Sequence, residues 1–145
     1  MDFSQFDQRG KAEKGQSFPI LHPETLQPIE DARFIIRGSS SRTVQEAERQ
    51  RQVAAMTAKD PEPRPATMGT VHEESVEAAI PFIIGFEGVE LDGRPATADD
   101  ARRFLDLTFP RMDTDADGKL FVANKTFAMQ VLERAKELEK LLGNV

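Results

Sequence analysis

The residues best placed to do chemistry are Asp113-Thr114-Asp115-Ala116-Asp117-Gly118-Lys119-Leu120. Carboxylates at alternate positions, then a glycine and an aliphatic residue, match the opening of a calcium-binding loop. In such a loop the acids fold inward around a hard cation, the glycine permits a sharp bend and the aliphatic side chain anchors the turn. Asp113, Asp115 and Asp117 are therefore candidate ligands for a weak Ca²⁺ site, the one cofactor the sequence suggests. The second half of the pattern departs from the first. Asn124 stands where a bidentate glutamate would close the cage, and Phe121 stands where a ligand or a held water is usual. Pro110 interrupts the incoming segment, and the loop has no second copy to pair with. The alternative reading is an acidic turn that caps the final helix near its N-terminus.

Other chemistry is sparse. His22 precedes a proline in a turn, and His72 stands beside Glu73 and Glu74 with no H-x-x-x-H spacing, so both read as surface structural residues. Ser39-Ser40-Ser41 follows a glycine without the strand-elbow context of a hydrolase. No glycine-rich phosphate loop with lysine is present. Glu73, Glu74 and Glu77 make an acidic helix face, which without a pocket is a solvated surface. Each catalytic arrangement lacks at least one partner, so the expectation is a non-enzymatic protein.

The elements that would carry these residues divide at a proline-rich stretch. Residues 3–15 predict a short polar helix anchored by Phe3 and Phe6. Ser17–Leu21 and Arg33–Arg37 read as strands of a hairpin with a long loop. Residues 43–59 read as a polar helix opened by the capping-box spacing Thr43…Glu46. Prolines 61, 63 and 65 then predict an extended linker over 60–69. Beyond it a helix opens at Thr70…Glu73, with Val76, Ala79, Ile80, Ile83 and Ile84 on one face and a kink at Pro81. Asp92-Gly93 predicts a tight turn, and Thr97 caps a second helix with Ala101, Phe104, Leu105 and Thr108 on its inner face. A last helix over about 121–142 shows a heptad seam of Phe121, Asn124, Ala128, Val131, Ala135, Leu138 and Leu142. That seam predicts packing on the 76–84 helix, or self-association through 121–142. The fold class is α+β and mostly helical: a β-hairpin and helical arm in 1–59, a linker at 60–69 and a helical half in 70–145.

The stretch Gly85-Phe86-Glu87…Leu91-Asp92-Gly93…Pro95…Thr97…Asp100-Ala101…Leu105 resembles the tail assembly chaperones of long-tailed bacteriophages and related gene-transfer particles. The first half shares their order: Phe6-Asp7, Leu21-His22-Pro23 with Gln27-Pro28, a strand, Gly38-Ser39-Ser40-Ser41 and an arginine-rich helix. In organisation the resemblance spans residues 2–109. Phe86 stands where an indole is common in the family, and the acidic loop at 113–120 is foreign to it. The resemblance implies binding to a tape-measure protein and recruitment of tail-tube subunits during tail morphogenesis, without a site of chemistry. Phe82, Ile83, Phe86, Leu91, Phe104 and Leu105 are the expected client-contacting residues. Two other functions compete: a structural subunit retained in the virion tail or head–tail connector, and a Ca²⁺-responsive module built on 113–124.

Composition sets the outer bounds. The chain has 145 residues and a net charge of −6, with Arg42, Arg49 and Arg51 interleaved with Glu46 and Glu48. No clustered cationic surface for nucleic acid follows from that pattern. The chain has no cysteine, which excludes disulfides and thiolate chemistry. No apolar run approaches the roughly 20 residues that span a bilayer, and the opening MDFSQFDQRGKAEK lacks the order of a secretion signal. The expected setting is the host cytoplasm, or the virion for a retained subunit.

Overall fold

The computed structural model describes residues 1–57 and 67–143. A 3-10 turn (Phe3–Phe6) leads into α1 (Gln8–Lys14), β1 (Gln16–Leu21), β2 (Pro28–Ile36) and α2 (Arg42–Thr57). The second half runs through α3 (Met68–Ala79), β3 (Ile83–Glu87), the short strands β4 (Glu90–Leu91) and β5 (Arg94–Pro95), and α4 (Ala101–Leu105). β6 (Met112–Thr114), β7 (Leu120–Val122) and α5 (Phe127–Gly143) complete it. The class is α+β, with the N-terminal hairpin and a C-terminal helix.

β1 and β2 pair antiparallel with Phe18 opposite Phe34, and β2 pairs antiparallel with β3, so β2 is the central strand. Side chains alternate across a strand, and Phe18, Ile20, Ala32, Phe34 and Ile36 all fall on the buried face. α5 covers that face with Phe127, Ala128, Val131, Ala135 and Leu138, also buried. Four seam positions (128, 131, 135 and 138) thus serve this chain's own core, beside Val76 and Ala79 of α3. Both halves of the chain contribute to one apolar cluster.

Several local expectations change. The helix expected through residue 84 stops at Ala79, because Pro81 offers no N–H and a 3-10 turn (Ile80–Phe82) follows. Instead of continuing past a kink, Ile83 and Ile84 enter β3, where β-branched residues pack well. Arg37 secures the crossing: its Nη1 donates to the carbonyls of Pro81 and Ile83, each at 3.2 Å. The caps sit earlier than spacing implied. Buried Ser41 accepts from the Val44 N–H to start α2, while the Thr43 hydroxyl donates to Glu13. Thr67 and Thr70 exchange side-chain and backbone hydrogen bonds to start α3, so Met68 and Gly69 are helical rather than linker. Residues 58–66, which hold most of the expected linker and the end of the expected 43–59 helix, lie outside the described residues. Phe3 and Phe6 do not anchor the N-terminal segment; both are exposed, and Ala12 is its buried contact.

The final helix starts at Phe127, since Leu120–Val122 is a strand and Thr126 caps the helix through its hydroxyl to the Met129 N–H. Buried Gln130 then ties α5 to the sheet edge. Its Oε1 accepts from the Leu21 N–H at 2.9 Å and its Nε2 donates to the Leu21 carbonyl at 2.9 Å, so the amide acts as one residue of an added strand. A close approach of backbone to backbone also occurs at Gly88 (φ +66°), where an added Cβ would clash with the Asp31 carbonyl oxygen.

Gln130→Leu leaves both polar groups of Leu21 without their partner and is expected to destabilise the protein by about 1–3 kcal/mol. Gly88→Ala is expected to cost about 1–3 kcal/mol for the backbone conformation alone, with the Asp31 clash added. Urea unfolding of each variant against the parent checks both.

Candidate functional site

The segment that resembles a known family folds as one contiguous unit. Leaving β3, the chain makes the β4–β5 hairpin through Asp92 (φ 54°) and Gly93 (φ 78°), the two left-handed residues that the tight hairpin turn requires. Thr97 then caps the 3-10 turn Ala98–Asp100, and the Asp100 carboxylate accepts in return from the Thr97 N–H at 2.9 Å. Arg94 grips the same carboxylate with both terminal nitrogens, at 3.0 and 2.7 Å. Arg103 reaches back to Asp92 at 2.5 Å, so the hairpin and α4 are cross-linked twice. The Arg94 guanidinium, with the Thr97 N–H, lowers the Asp100 pKa to about 2.

The six residues expected to touch a client lie inward. Phe82, Ile83, Leu91, Phe104 and Leu105 are buried, and Phe86 is partly buried against them. Phe104 stands at the centre, 4.7 Å from the Phe86 ring and stacked 4.6 Å from that of Phe127. The inner face expected of the second helix is present at Ala101, Phe104 and Leu105. Thr108 lies past its end, where its hydroxyl accepts from the Phe127 N–H at 3.0 Å. These groups build the fold.

The acidic loop forms a β-hairpin. Asp113 faces Phe121 and Thr114 faces Leu120 across the β6–β7 ladder. Asp115 Oδ1 accepts from the Asp117 and Lys119 N–H groups, each at 2.9 Å, and Asp113 Oδ1 accepts from the Thr114 N–H at 2.8 Å. Gly118 (φ +78°) supplies the bend. Asn124, at the closing position of the calcium pattern, locks the hairpin base. Its Oδ1 accepts from the Arg111 N–H at 2.9 Å and its Nδ2 donates to the Phe109 carbonyl at 3.0 Å. Among the described residues, no three His, Cys, Asp or Glu side chains are grouped to hold a metal ion.

His72 is buried rather than on the surface. Its Nε2 is 2.9 Å from Asp106 Oδ1, its ring packs 5.0 Å from Phe109, and its Nδ1 has no hydrogen-bond partner. His22 shapes the β1–β2 loop by accepting at Nδ1 from the Glu24 and Thr25 N–H groups. Ser40 donates to Glu139 of α5 through N–H and hydroxyl, both at 2.8 Å, so the serine run joins α2 to α5. Glu77 pairs with Arg102. An open cleft of about 750 Å³ between α2 and α3 is lined among the described residues by arginines, carboxylates, Ala54 and Val76, with no serine, threonine, cysteine or histidine on its walls.

What the sequence reading missed is the exposed apolar surface. Leu107, Phe109, Leu120, Phe121 and Val122 are exposed near and along the β6–β7 hairpin, and Val53 and Met56 on α2. A two-residue period on either side of Asp117-Gly118 was the available signal for the hairpin. No helix among the described residues is long and apolar enough to cross a membrane. Compared with family models, curated proteins and solved structures, the chain matches none.

Asp100 holds a proton less readily in the folded protein than in the unfolded chain. Its contribution is therefore present above its ordinary value of 3.8 and lost as pH falls towards about 2. Thermal melts across that window are expected to show a falling Tm, and Asp100→Asn is expected to lower Tm at neutral pH and flatten the acid limb. Because Asp115 is committed to backbone N–H groups, millimolar CaCl₂ is expected to leave Tm unchanged. A rise with Ca²⁺ and not Mg²⁺ would show that the loop closes on the cation.

Proposed function

We propose that this chain is a non-catalytic assembly chaperone of the kind its sequence resembles, acting in the host cytoplasm on a phage tape-measure protein and recruiting tail-tube subunits. The observation that carries the reading is the 85–105 segment: its resembling residues, braced by Arg94 and Arg103, fold as one unit from strand to capped helix. The client surface in this reading is α2. This helix runs from Arg42 to Thr57 with Val44 as its one buried residue. Val53 and Met56 stand exposed towards its end. An arm of that kind can lie along a helical client by its apolar positions while its charged face stays in water.

Co-expression with the tape-measure and tail-tube proteins of the same genome, followed by pull-down, tests the reading. A soluble complex with the tape-measure protein is expected, and Val53→Asp with Met56→Asp is expected to abolish it without lowering Tm. Failure to form the complex, with the protein present at fixed stoichiometry in purified particles, would overturn it in favour of a retained structural subunit.

A further inference from the structure

Helix α3 is tied to the segment that follows α4 through one polar side chain. His72 is buried, its Nε2 lies 2.9 Å from Asp106 Oδ1, and its ring packs 5.0 Å from that of Phe109. A carboxylate only accepts hydrogen bonds, so Nε2 carries the proton and Nδ1 of the neutral ring keeps a lone pair. Nδ1 is buried with no hydrogen-bond partner among the described residues. A second proton therefore has one place to go, and there it makes a buried, charged donor with no acceptor.

The surrounding charges do little to offset that cost. Asp106 is the facing carboxylate, but its side chain is 60% exposed, so water screens it. It also acts on Arg102 of α4, which is paired with Glu77 of α3. Glu73 and Glu74 of α3 and Arg51 of α2 border the same open cleft as Asp106. On α5, Glu133 pairs with Lys125, Arg134 with Glu137 and Glu139 with Ser40, while Lys136 and Lys140 are exposed. Arg111, at the far end of the segment, pairs with Glu24 and Asp113. We propose that His72 is a proton-operated latch on the connection between α4 and β6. With the ring neutral, it holds residues 106–109 against α3. When the ring takes a second proton, in the range of about pH 5 to 8 where imidazoles charge, the segment swings away and water reaches Nδ1. Phe109 leaves the ring at the same time, so mild acid enlarges the apolar surface that Leu107 and Phe109 already present. The open form holds the extra proton and the closed form does not, so opening is favoured as pH falls. That window lies above the one in which Asp100 takes up its proton, and the two are read separately.

Amide hydrogen exchange on the full chain, followed by NMR from about pH 7.5 to about 5.5 and corrected for intrinsic rates, is the test. The Asp106 and Leu107 amides donate to the carbonyls of Arg102 and Phe104 and report on the latch. Their protection is expected to fall by roughly tenfold as pH drops, within the factor of ten per pH unit that one proton can bring, while amides of β2 keep theirs. His72→Phe keeps a ring against Phe109 but cannot titrate, and is expected to abolish the change; His22→Gln is expected to leave it intact. Asp106→Asn still accepts from Nε2 but loses the charge that favours a protonated ring, so opening is expected to move to higher pH. Asp106 is largely exposed, which keeps the test decisive should His72→Phe fail to fold. Protection that stays constant, or that rises in acid as a simple imidazolium–carboxylate pair would require, overturns the proposal. So does a fall that persists in His72→Phe, or an opening that Asp106→Asn moves to lower pH.

Discussion

The structure depends on closing the second edge of β2. That strand carries Phe34 and Ile36 at the centre of the core, and a central strand must find hydrogen-bond partners along both sides. β1 supplies one side from the adjacent sequence. β3 supplies the other from beyond α2 and α3, with Phe86 opposite Phe34 and Gly85 opposite Ile35. Everything that brings β3 home serves this pairing. Pro81 ends α3 in time, Arg37 clasps the turn that follows, and Gly88 lets the chain pass close to Asp31. Once the sheet is closed, its apolar face has the width that α5 needs to bury five side chains on it.

Polar groups that resemble machinery turn out to hold these elements together. Asn124, Gln130, Ser41 and Glu139 sit at junctions where a strand, a turn or a helix end leaves backbone groups unpaired, and each supplies the missing partner. Side chains committed in this way gain stability by satisfying buried donors and acceptors. His72 is the exception, with one ring nitrogen paired to Asp106 and the other unpartnered in a buried setting.

The elements that could be read from the sequence were those specified locally. Phe34-Ile35-Ile36 has few options besides a strand, Asp92-Gly93 fits the two left-handed positions of a tight turn, and Thr97 with Asp100 carries its own cap. Ile80-Pro81-Phe82-Ile83-Ile84 was ambiguous because every side chain is apolar, so no period separates strand from helix, and only the distant edge of β2 decides the outcome. Asp113–Leu120 was ambiguous for another reason. A glycine bend between acidic residues suits both a cation loop and a hairpin, and the flanking Met112 and Leu120-Phe121-Val122 turned it into a ladder. Phe82, Ile83, Leu91, Phe104 and Leu105, expected on a contact surface, are buried in the core, because apolar residues at helical spacing mark a core and a contact surface alike. Burial separates the two, and it depends on how the halves meet.

The amide of Gln130 joined to Leu21 has a consequence for how the molecule is made. During synthesis the β1–β2 hairpin emerges early, but its partner strand arrives only with residue 87 and the side chain that finishes its outer edge only with residue 130. Until residue 87 the hairpin has open backbone edges on both sides, and until residue 130 on one, the condition that invites pairing with other chains. Folding of this protein is thus completed from its far end, and a polypeptide halted before α5 would leave the ribosome with its first-made sheet still unfinished.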